Sequence, residues 1–305
     1  MKDGKDIIIF GNNSILAKNF IKQFDNQNNL ITISRDDGQE NFLKCNLGDL
    51  MIKKELNNIC SKIENYSKFD NKIFILFSWA GRPRTSYLEN TWSINTNIII
   101  NFLEISKKLL PSKIVFISST TVYIENNIKA SKELDMPYPE SEYGKQKLIA
   151  EYVFENFSKV YKSSIVNLRV SSAYGFDPRF SDQGVINKWI FDAITNKKLI
   201  LLNSKDSKIN FISFDQITKA INISIENNLC GTYNIACKKS VELQEIIREI
   251  KVIVEDDLML ELKDEIIRNI NIDITKFYSE TGIIFKNNVI NNMEFIYSLI
   301  KSELD

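Results

Sequence analysis

Short apolar runs alternate along the first half of the chain with stretches whose apolar residues recur every three or four positions. Asp6–Phe10, Leu30–Ser34, Ile73–Phe77, Ile114–Ser118 and Ser164–Val170 read as strands. Between them, Ser14–Phe24, Asp49–Ile63, Trp92–Leu110 and Tyr143–Tyr161 read as helices, the third ending at Pro111. Strands that alternate with helices predict an α/β fold, a parallel sheet covered on both faces. After Tyr174-Gly175 the rhythm breaks. Residues 176–184 read as a loop, Val185–Asn196 and Gln216–Asn227 as helices, and Leu199–Leu202 and Asn210–Ser213 as short strands. Further helices are predicted near Leu243–Ile253 and Asn292–Ser302. With no repeat, low-complexity linker or charge block, the C-terminal part reads as a cap folded onto the sheet.

Composition narrows the classes. Lys+Arg and Asp+Glu both number 39 in 305 residues, so nothing points to a nucleic-acid partner. No apolar stretch approaches the ~18 residues that span a bilayer. Residues 1–6 lead straight into a strand without a signal-peptide apolar region, which predicts a cytoplasmic protein with no membrane partner. Cys45, Cys60, Cys230 and Cys237 match no zinc spacing and read as reduced, buried thiols; no metal is expected. The chain contains no histidine, which excludes His-based triads, metal sites and general bases together.

Candidate chemistry sits at strand ends. Gly11 follows the first strand, with Ser14 and Ala17 where a dinucleotide loop would carry two more glycines. Spacing alone leaves this open between a cofactor loop and an ordinary strand–turn–helix. Within "FISSTTVY", residues 116–123, Ser119 stands at the strand end, and "YGKQK" places Tyr143 and Lys147 four apart on one helix face. A tyrosine with an ordinary pKa of ~10 is a poor acid–base group at neutral pH. A lysine one turn away is expected to favour its phenolate.

Together, "SSTTVY", "SEYGKQKLIAE", "NTNIIINFLE", "LRVSSAYG", "INFISFDQITKAI" and "NIDITKFYSETGI" resemble, in order and nearly end to end, the extended short-chain dehydrogenase/reductases. The specific likeness is to their NAD-dependent epimerase/dehydratase family of nucleotide-sugar enzymes. The resemblance implies a Rossmann-like doubly wound parallel sheet with a smaller mixed C-terminal substrate-binding region. Residues 1–175 would bind the dinucleotide and also receive 210–235; 176–209 and 236–305 would bind substrate. It implies Tyr143 as acid/base, Lys147 as its partner and ribose ligand, and Ser119 as ligand of the substrate oxygen. Gly11, Asn13, Ser14 and Ile15 would meet the pyrophosphate, and Ser34 and Arg35 the adenosine ribose. Asn46, Leu47, Trp79, Ala80, Gly81, Asn95, Val170 and Ser172 would complete the cofactor site. Arg82, Arg84, Thr120, Thr121, Arg179, Lys188 and Arg268 would join Ser119 and Tyr143 around the sugar nucleotide.

Departures from the family pattern select among its reactions. Thr120-Thr121 stand where 4,6-dehydratases carry Asp-Glu, so dehydration is not expected. Thr121 and the missing histidine disfavour the 3,5-epimerisation of GDP-fucose synthases. What remains is reduction of a nucleoside-diphosphate 4-keto sugar, with UDP-hexose 4-epimerisation as the alternative and a non-catalytic dinucleotide sensor as a third reading. Ser34-Arg35, in place of an acidic residue, favours NADP over NAD, since Arg suits a 2′-phosphate. The family's dimerisation through two helices implies a homodimer, with Ile98, Phe102, Ile105, Val153 and Phe157 as candidates to line it.

Overall fold

The computed structural model describes residues 4–24, 27–35, 42–81, 90–127, 129–177, 184–255, 258–263 and 266–304. These form two compact units. The first comprises Met1–Tyr123, Pro137–Arg169 and Thr218–Tyr233; the second comprises Ile124–Met136, Val170–Ile217 and Asn234–Asp305.

The strands are β1 (Asp6–Phe10), β2 (Asn29–Ser34), β3 (Phe42–Lys44), β4 (Lys72–Leu76), β5 (Lys113–Ser119) and β6 (Ser164–Val170), and all but the neighbours β2 and β3 are separated by described helices as the alternation predicts. The helices are α1 (Ile15–Lys22), α2 (Lys53–Tyr66), α3 (Thr91–Leu109) and α4 (Glu142–Tyr161). Parallel ladders join β3 to β2, β2 to β1, β1 to β4 and β4 to β5. The seven-stranded sheet runs β11-β6-β5-β4-β1-β2-β3, with β11 spanning Gly231–Ile235. Strand order therefore reverses beside β1, the switch point at which open α/β sheets bind ligands. The sheet is the expected Rossmann-like, doubly wound one.

One side of the sheet is held by a chain of rings. Phe10 packs on Phe74 and Phe102, Phe102 on Phe154, and Phe154 on Phe116, with centroids 4.9 to 5.5 Å apart. Such tilted and edge-on contacts suit the ring quadrupole. Ile98, Phe102, Ile105 and Phe157 belong to this core. This corrects their assignment to a dimer contact, because the same helical stripe cannot face both sheet and partner. Val153 is half-buried. The exposed apolar side chains of these two helices are Trp92, Ile100, Ile149, Tyr152 and Val160.

In the second unit, β7 (Ser172–Tyr174) pairs in parallel with β10 (Phe211–Ser213). Its core gathers Tyr174, Trp189, Phe211, Ile246, Met293 and Ile296 from these strands and from α5 (Val185–Asn196), α7 (Leu243–Val254) and α9 (Val289–Leu304). Segment 124–136 joins this unit, although the expected boundaries put it with the first. Ser131 donates its N–H to Asn271 O at 2.9 Å and accepts from Asp273 N at 3.0 Å. Residues 170–175 and 210–217 fall in the second unit for a similar reason, the β7–β10 pairing. Short elements with little periodicity escaped prediction: β3, β7, β9 (Lys208–Ile209), β11, β12 (Val241–Glu242), β13 (Met259–Leu262) and α8 (Thr275–Thr281). The helix Phe214–Glu226, α6, lies close to its predicted place, and β8 (Lys198–Leu201) is offset by one residue. Cys45, Cys60 and Cys237 are buried free thiols, but Cys230 is exposed in the turn between α6 and β11. Among the described residues no helix is long and apolar enough to cross a membrane.

Candidate active site

Because β1, β2, β3, β4 and β5 are parallel, their C-terminal ends gather the candidates of the first unit on one edge of the sheet. Gly11 follows β1, Ser34 ends β2, Asn46 follows β3, Trp79–Gly81 follow β4, and Ser119 ends β5.

Gly11 has φ +95°, a conformation that side-chain-bearing residues rarely adopt. A Cβ there would lie 2.5 Å from Ser78 N, so the glycine is required by close packing against the end of β4 as well as by its backbone. Its N–H donates to Ile33 O at 2.8 Å. Ser14 caps α1 with φ −61°, so a non-glycine residue stands at this position without strain. Its side chain makes no bond to the helix end. Ala17 is fully buried. Asn13 and Ile15 flank Ser14 and are half-buried. At the end of β2, Ser34 is buried and Arg35 exposed. Asn46 closes a turn on itself: its amide donates to Asp49 at 2.8 Å and its Oδ1 accepts from Gly48 N at 3.1 Å. Leu47 is buried beside it.

Asn95, buried on α3, grips Ala80 through both amide atoms, accepting from its N–H at 2.8 Å and donating to its carbonyl at 3.0 Å. It also donates to Gln146 on α4. One side chain thus ties the loop after β4 to the helix that carries Tyr143 and Lys147. Gly81 turns away with φ +84°.

Ser119 Oγ accepts from Thr121 N at 3.2 Å and from Thr121 Oγ1 at 3.0 Å. A hydroxyl has two lone pairs. With both engaged, Ser119 has its own O–H to donate outward. Thr120 is buried in the same one-turn 3₁₀ segment. Gly144 lets α4 approach this turn, since a Cβ there would sit 2.3 Å from Thr121 O. Ser141 caps the helix by accepting from Gly144 N at 3.1 Å.

Tyr143 and Lys147 follow on successive turns of α4. Burial, not the lysine, dominates Tyr143: its phenol is held well above the ordinary tyrosine range. This overturns the expectation of a depressed pKa. Lys147 Nζ donates to Ile117 O at 2.7 Å and lies 5.6 Å from the Tyr143 ring centroid. Burial in turn lowers Lys147 to about 7, with Glu151 acting the other way.

Sequence reasoning missed what lies behind these residues. Glu151 is buried one turn beyond Lys147 and takes Arg169 on both oxygens, at 2.7 and 3.1 Å. It also accepts from Ser118, and Arg169 donates to Tyr123 Oη at 2.7 Å. The signal was present: positions 143, 147 and 151 form one polar row on a face that otherwise packs inward. Gly144 and Gln146 were likewise legible only once α4 met its neighbours.

Val170, Ser172, Lys188 and Arg268 belong to the second unit. Val170 is buried and Ser172 half-buried. Lys188 pairs with Asp192 at 2.8 Å, and Arg268 with Glu125 at 2.9 Å. Asn210 is buried. It accepts from Ser171 Oγ and Cys237 N and donates to Cys237 O. Arg82, Arg84 and Arg179 lie outside the described residues.

A dTDP-4-dehydro-6-deoxyglucose reductase of Escherichia coli is 27% identical over 176 residues, 56% of this chain and 55% of its own length. A dTDP-D-glucose 4,6-dehydratase of Dictyostelium discoideum is 23% identical over 257 residues, 79% of this chain and 56% of its own. The chain thus matches little more than half the length of these curated relatives. The same fold is found in a UDP-N-acetylglucosamine 4-epimerase of Methanobrevibacter ruminantium M1, solved with UDP-N-acetylmuramic acid. Its TM-score is 0.84 at 21% identity, covering 99% of this chain and 100% of that one. Residues 7–236 match the NAD dependent epimerase/dehydratase family, and the chain belongs to it.

Proposed function

We propose that the chain is an NADP(H)-dependent reductase of nucleoside-diphosphate 4-keto-6-deoxy sugars. The observation that carries this reading is the Thr120-Thr121 pair behind Ser119. With no carboxylate there and no histidine in the chain, the proton chemistry comes down to one phenol. Burial raises that phenol's pKa, and a protonated Tyr143 suits the acid role that a reductase requires. Tyr143 Oη gives its proton to the C4 oxygen of the sugar, while Ser119 donates its O–H to the same atom. Lys147 then faces the phenolate left behind and stabilises it. The reductase named among the curated relatives supports the same choice.

A dinucleotide fits the first unit. Gly11 has the required backbone, the amides at the start of α1 are not taken by the cap side chain, and Asn12 Oδ1 is buried without a partner among the described residues. Gly11, Asn13, Ser14 and Ile15 would hold the pyrophosphate, Asn46 and Leu47 the adenine, Ser34 and Arg35 a 2′-phosphate, and Lys147 the second ribose. Trp79, Ala80, Gly81 and Asn95 would border the nicotinamide, with Val170 and Ser172. When bound, the cofactor supplies the hydride.

We assign the sugar nucleotide to Ser119, Thr120, Thr121 and Tyr143, with Arg82, Arg84, Arg179, Lys188 and Arg268 as its phosphate-side candidates. A second copy of the chain would cover Trp92, Ile100, Ile149 and Tyr152, and sedimentation at micromolar concentration checks that. The free thiols suit a reducing cytoplasm.

The test is incubation with UDP-, GDP-, CDP- and dTDP-linked sugars and their 4-keto derivatives, with NADPH and NADH in parallel. Stoichiometric NADPH loss with a keto sugar is expected. Interconversion of two hexoses without net loss, seen by proton NMR, would replace the reductase by a 4-epimerase. Binding of dinucleotide with no turnover across the panel would leave the sensor reading.

A further inference from the structure

A buried ammonium ordinarily pairs with a carboxylate, because losing its hydration is costly. Lys147 is 4% exposed, and no carboxylate of the described residues pairs with it. Its single hydrogen-bond acceptor is the carbonyl of Ile117. Three rings lie close to it: Nζ is 4.1 Å from the centroid of the Trp79 ring, 4.7 Å from Phe116 and 5.6 Å from Tyr143. Ring faces attract a cation through their quadrupole, and indole does so most strongly.

Trp79 is held for this contact. Ala80, the next residue, is fixed by both amide atoms of Asn95. The indole packs on Phe116 at 5.7 Å, and Phe116 rests on Phe154 in the ring chain of the core. The indole N–H has no acceptor among the described residues, so packing rather than hydrogen bonding sets the ring.

We propose that Trp79 is a positioning residue for Lys147: its indole face, with the Ile117 carbonyl, keeps the buried ammonium charged and in place where a carboxylate would otherwise do so.

The charged and titratable groups around Lys147 leave this role open for the indole. On α4 itself these are Tyr143, whose phenol stays protonated, and Glu151. Arg169 of β6 holds Glu151 on both oxygens, with Ser118 of β5 on one of them. From β5 otherwise come only the Ile117 carbonyl and the Phe116 ring, and from the loop after β4 the indole. Burial drives the lysine towards its neutral form and the charge of Glu151 acts against it; a ring face 4.1 Å from Nζ favours the charged form as well.

The inference concerns the charge of Lys147 and is tested on that group, whichever sugar reacts. Protein labelled with ¹³C at lysine Cε is titrated by NMR, and the Lys147 signal is identified by its loss in Lys147→Met. The wild-type signal should be shifted upfield by the indole ring current. Its midpoint should fall by about one pH unit in Trp79→Leu and by less in Trp79→Phe. Incorporating tryptophans of rising fluorine content preserves shape while draining the π face, and the midpoint should fall stepwise. An unchanged midpoint in Trp79→Leu, or a flat response to fluorination, would overturn the proposal. So would a Trp79→Phe variant that loses as much as Trp79→Leu. Should Trp79→Leu not fold, the fluorinated series alone decides.

Discussion

Lys147 and Arg268 are both cations that the sequence offered to a ligand, and the two units hold them in opposite ways. Lys147 is buried against rings and a carbonyl, in no ion pair among the described residues, with Glu151 acting on it only through its charge. Arg268 is about one-third exposed and already answered by Glu125, as Lys188 is by Asp192. A cation enclosed by packing keeps one geometry and a strong field. One paired at the surface is screened by water and salt and must leave its partner to serve a ligand. The contrast bears on where the proposed chemistry would be held in this chain: at the strand ends of the first unit, where packing fixes the side chains.

The largest effects should come from that side. Tyr143→Phe removes the only acid of the proposed reaction and should lower turnover by about 10²–10⁴-fold while dinucleotide affinity, read by calorimetry, stays unchanged. Near-normal turnover would refute the mechanism. Glu151→Ala leaves Arg169, 5% exposed, without its counter-charge. Breaking such a buried pair costs about 3–5 kcal/mol, to be read by urea unfolding. A loss below 1 kcal/mol would mean that water reaches the network.

Lys147 also makes a pH signature. Its folded pKa, about 7, lies below the ordinary lysine value, so between those limits the unfolded chain binds the extra proton. Stability from this group is therefore greatest above the ordinary value and is lost as pH falls towards 7. Lys147→Met should flatten the rise of unfolding free energy between pH 7 and 9 by up to about 1.4 kcal/mol per pH unit. Lys113, lowered by burial to about 8, adds a separate slope that persists in the variant. Gly144→Ala drives a methyl to 2.3 Å from Thr121 O, so α4 or the 3₁₀ turn must shift. About 1–3 kcal/mol should be lost, together with turnover, since Tyr143 and Ser119 ride on the two parts that separate.

How far these features could be read beforehand follows from the same contrast. The sheet was legible because burial on both faces demands continuous apolar runs, as in Ile7-Ile8-Ile9. Ser119, Tyr143 and Lys147 were legible because a strand end and an i,i+4 step determine where a residue stands. The pKa of Tyr143 was not, since it depends on what encloses the phenol, and that comes from distant segments. Nor was the role of Ile98 and Phe102, because periodicity reveals an apolar stripe without saying whether sheet or partner covers it. Glu151 was readable as a polar position, but its partner Arg169 lies 18 residues away on another strand. Asn210 could be read only as part of a short strand, and it proved to be a buried joint between Ser171 and Cys237, a use that only the fold creates.

The smallest effects should come from the second unit, and they test the contrast most sharply. Arg268→Ala exchanges an ion pair about one-third exposed for water on both partners, so stability should change by less than about 1 kcal/mol. Lys188→Ala, whose lysine is 47% exposed, should behave alike and lose its effect at high salt. If each cation stays with its own carboxylate during turnover, kcat should be unchanged and KM for the sugar nucleotide should rise by no more than a few fold. A rise of tenfold or more in Arg268→Ala would break the comparison. It would mean that the diphosphate draws the guanidinium away from Glu125, an exchange that Arg suits through its planar fork. Glu125→Gln distinguishes the two cases directly. Freeing the arginine should lower KM if Arg268 meets the substrate, and should leave KM where it was if the pair only fastens segment 124–136 to its unit.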